Sequence, residues 1–243
     1  MDMQTIREQA QRAALRTGPR LFKVFVIYAL VLSVLNFVGF QLSEPLYDWY
    51  MRCAQYISAG ELVLPEVPKT AKYGTLLYLL LTLMGRVVTT GWITTVLTAA
   101  RGGEYSWHDL WSCFGNFWKV FVITILMYLG CMAASLLLVF PGVLLFYQWR
   151  LSFFVLAEHP EYGPIQCMKQ SRRLMTGEKL NLFKLDLSCW LLYGLAGIVW
   201  YVTSGILPLW KMPSVMILYT VFYNRMVYWK EPEEETKPPE DPQ

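Results

Sequence analysis

The stretch that decides the class of this protein is "LFKVFVIYALVLSVLNFVGFQL", residues 21–42, a nearly unbroken apolar run. A run of at least about 18 mostly apolar residues is typical of a transmembrane helix. This one is too long for the core of a signal peptide, and no small-residue cleavage site follows it. We therefore predict that it is a retained membrane span.

The composition of the whole chain agrees with this interpretation. Hydrophobic residues make up 55% of the 243 residues and charged residues 16%, whereas about 25% of a soluble domain is charged. Further apolar runs predict an all-α polytopic membrane protein with six transmembrane helices. The predicted spans are about 21–43, 73–99, 117–139, 141–157, 180–207 and 214–229.

The segments outside the spans have recognisable patterns. Residues 1–20 predict a basic amphipathic helix that ends at "TGPR" (17–20) and lies in the headgroup layer or simply begins the first span in solvent. Between spans 1 and 2 we expect a loop with a short interfacial helix. Proline and glycine in "FPG" (140–142) predict a helix break, residues 208–213 a turn, and the acidic, proline-rich residues 230–243 a disordered tail.

Basic residues predict the orientation, because cytoplasmic segments carry an excess of lysine and arginine. With the N-terminus inside, 13 of them lie in inner segments and 4 in outer ones, which predicts a cell-membrane protein with both termini cytoplasmic. The inner set is Arg7, Arg12, Arg16, Arg20, Lys23, Arg101, Lys119, Lys169, Arg172, Arg173, Lys179, Lys230 and Lys237. The outer set is Arg52, Lys69, Lys72 and Lys211.

The stretch "SRRLMTGEKLNLFKLDLSCW" (171–190) joins a basic segment to an apolar one. Residues 168–179 predict an amphipathic helix with an apolar face at Met168, Ser171, Leu174 and Met175, and Gly177 suits its end. The helix either rests on an anionic inner leaflet or only satisfies the positive-inside rule. Its candidate membrane-surface residues are Lys169, Arg172, Arg173, Lys179 and Lys184, the last reaching back to the headgroups.

Charged residues inside spans are functional candidates, because burying a charge in the bilayer is costly. Asp186 and Arg225 lie at similar predicted depth near the cytoplasmic side, so we expect them to form a buried ion pair. Arg86 and Arg150 are predicted near the middle of the bilayer with no carboxylate at that depth. They would bind backbone carbonyls freed near helix breaks, water in a cavity or an anionic ligand.

The chain offers little for catalysis or metal binding. Its five cysteines include no CxxC pair, and its two histidines have no metal-ligand spacing. Nucleotide-binding and hydrolase motifs are absent, as is a basic stretch with interleaved aromatic residues. We therefore expect no enzyme, no cofactor, no metal and no nucleic-acid partner.

Four stretches, in order along residues 91–227, resemble a bacterial family. They are "ARGGEYSWHDLW", "FPGVLLFYQWRLSFFVLAEHP", "SRRLMTGEKLNLFKLDLSCW" and "VFYNRM". Together they resemble the integral-membrane family called domain of unknown function 975. The resemblance implies a six-span membrane protein of bacterial origin and assigns no activity or catalytic residue.

Two functional hypotheses follow. The first is a non-enzymatic envelope component that interacts with membrane lipids, with another membrane protein or with itself through its interfacial helices. The alternative is a small transporter or permease-like protein that binds an anionic ligand at Arg86 and Arg150. Matched helix interruptions in two halves of the chain would favour transport; they are not evident, which favours the first hypothesis.

Overall fold

The computed structural model describes residues 3–59, 65–137, 139–189 and 206–235. The described residues contain helices and no strand, so the all-α prediction is confirmed. The elements are α1 (Met3–Ser58), α2 (Lys69–Ala100), a 3-10 helix (Trp107–Asn116), α3 (Phe117–Leu137), α4 (Val139–Trp149), α5 (Ser152–Glu158), α6 (Pro164–Leu174), α7 (residues 179–189) and α8 (Ile206–Glu235).

Among the described residues, three helical stretches are long and apolar enough to cross a membrane. They are Thr5–Ser58, Lys69–Ala100 and Trp107–Leu136, and they contain the first two predicted spans and most of the third. Predicted span 4 is interrupted, because α4 ends at Trp149 and α5 begins at Ser152. Much of predicted span 5 lies at residues 190–205, outside the described residues, and span 6 lies within α8.

Helix α1 continues where the sequence predicts an end and then a loop. It passes through both Pro19 and Pro45 and reaches Ser58. A proline inside a helix costs about 3 kcal/mol, and burial of apolar side chains on both sides of Pro19 offsets this cost. Ile6 is fully buried, and Leu21 is 1% exposed. Tertiary packing therefore overrides the local break signal.

Helices α1 and α2 run antiparallel and pack closely. Tyr28 stacks on Trp92 with ring centroids 5.2 Å apart, and its hydroxyl lies 3.4 Å from that of Thr89. Further along, a Cβ on Gly74 would lie 2.2 Å from the carbonyl oxygen of Leu42. Glycine at position 74 thus permits the backbones to approach, and the two helices form one continuous pair.

Helices α3 and α4 form a tight hairpin. Helix α3 ends at Leu137 and α4 begins at Val139, so Pro141 of the predicted "FPG" break lies in the first turn of α4, where proline is tolerated. A Cβ on Gly142 would lie 2.1 Å from the Ser135 hydroxyl, and one on Gly130 would lie 2.4 Å from the Trp149 ring. Both glycines therefore serve close helix contact.

Helix α8 closes the bundle against both halves of the core. Phe222 and Tyr223 are buried with Val155 of α5 and Leu174 of α6, while Ile217 joins the cluster around Trp92. The helix includes residues 208–213, where a turn was predicted. It also continues to Glu235, into the segment predicted to be disordered, and the rest of that tail lies outside the described residues.

Candidate functional site: an arginine-lined groove

A groove of about 990 Å³ opens between the first turns of α1, the end of α2 and α8. Five arginines line it, and none of its described lining residues is acidic. We call these residues the groove arginines: Arg12, Arg16, Arg20, Arg101 and Arg225. Arg101 and Arg12 have carboxylates nearby, Glu158 and Glu8, and the other three arginines leave the groove net positive.

Three groove arginines belong to one face of α1. Arg12, Arg16 and Arg20 follow one another at four-residue spacing, which places them one turn apart. Like charges at this spacing repel each other and weaken the helix. Arg12 lies 3.8 Å from Glu8, but both side chains are largely exposed, so this ion pair contributes little. Arg16 and Arg20 form no ion pair with any described residue.

The groove face of α1 is tied to the turn after α2 by Tyr105. Its hydroxyl donates to the carbonyl oxygen of Thr17 at 3.2 Å. Burial raises the pKa of Tyr105, partly opposed by the charge of Arg20. Tyr105 therefore stays neutral and positions the α1 backbone within the groove wall.

Arg101 joins three elements at the base of the groove. Its guanidinium donates to Glu158 at 2.5 Å and to the side-chain oxygen of Asn224 at 2.8 Å. The other oxygen of Glu158 accepts a 2.6 Å hydrogen bond from Tyr223. Because the bonds link the end of α2 to α5 and α8, Arg101 is held in place as part of the wall.

Arg225 lies on α8 and donates to the hydroxyl of Thr5 at 2.7 Å. The buried ion pair predicted between Asp186 and Arg225 is therefore wrong. Thr5 is on the first turns of α1, so this bond fastens α8 to the same helix that carries three groove arginines. Arg225 belongs to the groove rather than to the interior of the bundle.

Asp186 instead lies at the centre of a polar cluster on α7. Its carboxylate accepts hydrogen bonds from Tyr147, at 2.9 Å, and from Tyr219 and Arg150. The Arg150 and Asp186 side chains are 29% and 18% exposed, so the ion pair is largely shielded. The Arg150 guanidinium also lies over the ring of Tyr219, 4.8 Å from its centroid.

The break between α4 and α5 explains why the sequence predicts the wrong partner. The predicted depth of Arg150 assumes a continuous helix over 141–157, but Arg150 lies in the break itself. There it meets Asp186, so the expectation that no carboxylate reaches it is also wrong. The carbonyl oxygen of Gln148, beside the break, accepts a 2.7 Å hydrogen bond from Ser171.

Arg86 is exposed on α2 and donates to the hydroxyl of Tyr128 on α3 at 2.8 Å. Its guanidinium carbon lies 6.0 Å from the centroid of the same ring. Arg86 and Arg150 thus have different partners, and the structure does not bring them together through any shared residue. An anionic ligand at these two residues stays a prediction.

The amphipathic helix predicted over residues 168–179 is present mainly as α6. Met168, Ser171, Leu174 and Met175 are buried as expected, and Gly177 has a φ of 85°, which suits a glycine after a helix end. The buried face packs on the bundle rather than into lipid. Of the predicted membrane-surface residues, Lys169, Arg172, Arg173 and Lys184 are exposed and Lys179 is partly exposed.

Cys167, His159 and Glu161 lie outside the groove lining. Burial raises the pKa of the Cys167 thiol to about 11, so it is protonated at neutral pH. His159 pairs with Glu161 at 3.0 Å; a backbone hydrogen bond and this histidine lower the pKa of Glu161. Within the described ranges, no three histidine, cysteine or acidic side chains are grouped to hold a metal ion.

The sequence alone shows the groove arginines but does not predict that they lie together. The spacing of Arg12, Arg16 and Arg20 already indicates a basic stripe on a helix. Arg101 and Arg225 lie 81 and 205 positions after Arg20, and only the packing of α2 and α8 against α1 brings them to that stripe.

Comparisons of the chain with protein-family models, with curated proteins and with solved structures found no match of any of the three kinds.

Proposed function

We propose that this chain is a multi-pass integral membrane protein without a catalytic role, whose function is to interact with anionic lipids of the cytoplasmic leaflet. The observation that carries the proposal is the gathering of cations at one end of the bundle. The groove arginines come from α1, the end of α2 and α8. Exposed Lys169 and Arg172 of α6 follow shortly after Glu158, which binds Arg101.

Exposed apolar side chains on the three candidate spans support insertion of these helices into a membrane. Large side chains are exposed on the three candidate spans, including Leu30, Phe40, Leu79 and Leu129, which are 54% to 69% exposed. In water such surfaces would be unfavourable, whereas lipid chains cover them at no cost. The apolar helices therefore suit the hydrocarbon layer, and the basic end of the bundle suits anionic headgroups.

Orientation follows from the same charges. Arg20 lies in the first third of α1 and Arg101 directly follows α2, and both line the groove; the positive-inside rule puts such basic segments in the cytoplasm. Basic residues close to an anionic leaflet each contribute about 1 kcal/mol of attraction. The cytoplasmic placement of the basic end thus supplies the lipid attraction that we propose.

The geometry gives less support to the transporter alternative. Arg150 is paired with Asp186 and is therefore not available as an isolated cation. Arg86 is exposed and bound to Tyr128. A central anion site would need both arginines to face one cavity, and their separate partners favour a structural role for each.

Thermal unfolding of the purified protein in mixed micelles tests the proposal. Phosphatidylglycerol should raise the melting temperature more than phosphatidylcholine with the same acyl chains, because only the first carries net negative charge. The difference should shrink as salt is added, since salt screens exposed charges. Equal stabilisation by the two lipids at low salt would contradict a function that depends on anionic lipids.

A further inference from the structure

We infer that the arginine-lined groove is a discrete binding site for a phosphate group, one ligand per chain, and that it takes this phosphate from a phospholipid headgroup. The inference rests on the proposed function and deepens it. A diffuse basic surface would attract lipids collectively, whereas a built groove would hold one phosphate in a defined place.

The first argument is that two positive charges in the groove have no counterion among the described residues. Arg16 and Arg20 form no ion pair with any described residue, yet they lie one turn apart on the groove face of α1. Mutual repulsion opposes this arrangement. A phosphate between the two guanidinium groups would turn repulsion into two charge-assisted contacts, because guanidinium geometry matches phosphate oxygens.

The second argument is that the opposite wall is held in place before any ligand arrives. Arg101 is fixed by Glu158 and Asn224, and Arg225 is fixed by Thr5. A side chain already restrained loses less conformational freedom on binding. The groove therefore combines Arg16 and Arg20, which have no ion pair with a described residue, with Arg101 and Arg225, which are already held by hydrogen bonds.

Size and lining favour a headgroup over a bare ion. A volume of about 990 Å³ exceeds what one phosphate needs and lies at the upper end of ligand pockets, about 300–1,000 Å³. Small apolar residues such as Ala13, Ala99 and Val221 also line the groove. They offer a surface for the glycerol and upper acyl carbons, while the arginines take the phosphate.

The backbone in the adjoining turn does not supply the phosphate contacts. The N–H groups of Gly102 and Gly103 already donate to the carbonyl oxygens of Ala99 and Thr98. Recognition therefore depends on the guanidinium groups, and changing them should abolish it while leaving the turn intact.

The test compares two charge-matched double variants. Arg16→Gln with Arg20→Gln removes two cations from the groove. Lys69→Gln with Lys72→Gln removes two exposed cations from the first turn of α2, outside the groove. Native mass spectrometry of the detergent-purified chain, titrated with phosphatidylglycerol, counts bound lipids and gives their affinity; melting temperatures without lipid confirm that each variant is folded.

We expect wild type to bind one phosphatidylglycerol tightly. The groove variant should bind it about a hundredfold more weakly, as expected for two lost charge-assisted contacts, and the α2 variant should bind it almost as wild type does. Equal weakening in both variants would overturn the discrete site and leave the proposed lipid interaction standing. No preference for phosphatidylglycerol over phosphatidylcholine in wild type would overturn both.

A second experiment with soluble phosphate compounds distinguishes a lipid phosphate from a soluble one. Inorganic phosphate and glycerol 3-phosphate are titrated into the same three proteins, and the melting temperature is followed. Weak, millimolar effects, lost in the groove variant, support a site built for a lipid phosphate. If either soluble compound binds wild type as tightly as phosphatidylglycerol does, the lipid source is wrong and the groove serves a soluble phosphate.

Discussion

Arg150, in the break between α4 and α5, donates to the carboxylate of Asp186 on α7, and two tyrosine hydroxyls complete the contacts of that carboxylate. Four segments of the chain meet at this one acidic side chain. Removing either charge would leave the other shielded and without its counterion, which is costly.

The first prediction concerns this ion pair. Asp186→Asn and Arg150→Gln should each lower the free energy of unfolding, and the double variant should lose about 1–3 kcal/mol less than the sum. Thermal unfolding in detergent measures the cycle. Asp186→Asn combined with Arg225→Gln is the matched control and should be additive, because Arg225 bonds Thr5. Additive losses with Arg150 would contradict the pair.

The second prediction concerns the contact between α2 and the 3-10 helix. Gly91→Ala should destabilise the fold by about 1–3 kcal/mol, because overpacking forces the backbone apart. The added Cβ would lie 2.1 Å from the Leu110 carbonyl oxygen. Gly18→Ala is the control: nothing lies within 4 Å of its Cβ, and alanine should gain up to about 1 kcal/mol in α1. Equal melting temperatures for the two variants would refute this packing.

The third prediction concerns Cys167, which is fully buried on α6. Its thiol pKa of about 11 lies two units above the ordinary 9.0, so its thiolate fraction near pH 8 is about a hundredfold lower. A variant with Cys167 as its one cysteine should resist maleimide in the native state. The control moves the cysteine to the exposed face by Arg172→Cys with Cys167→Ala, and it should react readily. Similar rates would contradict the burial of this face.

The same thiol predicts a pH dependence. Because folding raises the pKa of Cys167 from 9.0 to about 11, the unfolded chain releases this proton first as the pH rises. Stability from this group is therefore intact below about pH 9 and declines between about pH 9 and 11. Cys167→Ala should remove that part of the decline, seen as a flatter unfolding profile over this interval.

The fifth prediction concerns the crossing of α2. Glu66 and Glu104 are both exposed, and they lie before and after this helix. In a background without other cysteines, a membrane-impermeant maleimide applied to whole cells should label Glu66→Cys and leave Glu104→Cys unlabelled until the membrane is opened. Labelling of both in intact cells would exclude a transmembrane α2 with the proposed orientation.

The sequence predicts those features that depend on periodicity. The buried face of α6, the turn at Gly177 and the first three apolar helices follow from local patterns that the fold respects. Helix ends at proline are predicted poorly, because Pro19 and Pro45 lie inside α1. At these prolines, the burial of neighbouring apolar side chains outweighs the tendency of proline to end a helix, and the local sequence pattern shows only that tendency.

Which charged side chains pair with each other is harder to predict from the sequence, because the pairing depends on where helices break. Arg150 meets Asp186 through an interruption that no proline or glycine marks. The groove is a similar case. Arg101 lies just after α2 and Arg225 near the end of α8, and their nearness to Arg20 follows from packing between distant elements.

Because α1 is one unbroken helix, its length sets the distance between the groove and the opposite end of α1. Its 56 residues correspond to about 84 Å, and the stretch from Arg20 to Ser58 to about 57 Å, against a hydrocarbon layer of about 30 Å. A helix does not stretch, so α1 accommodates a change in bilayer thickness by changing its tilt. Because α2 is packed along it at Gly74 and Trp92, both helices tilt together. With the groove at the cytoplasmic leaflet, as proposed, a thicker or thinner bilayer should turn the groove arginines toward or away from the headgroups without altering their spacing.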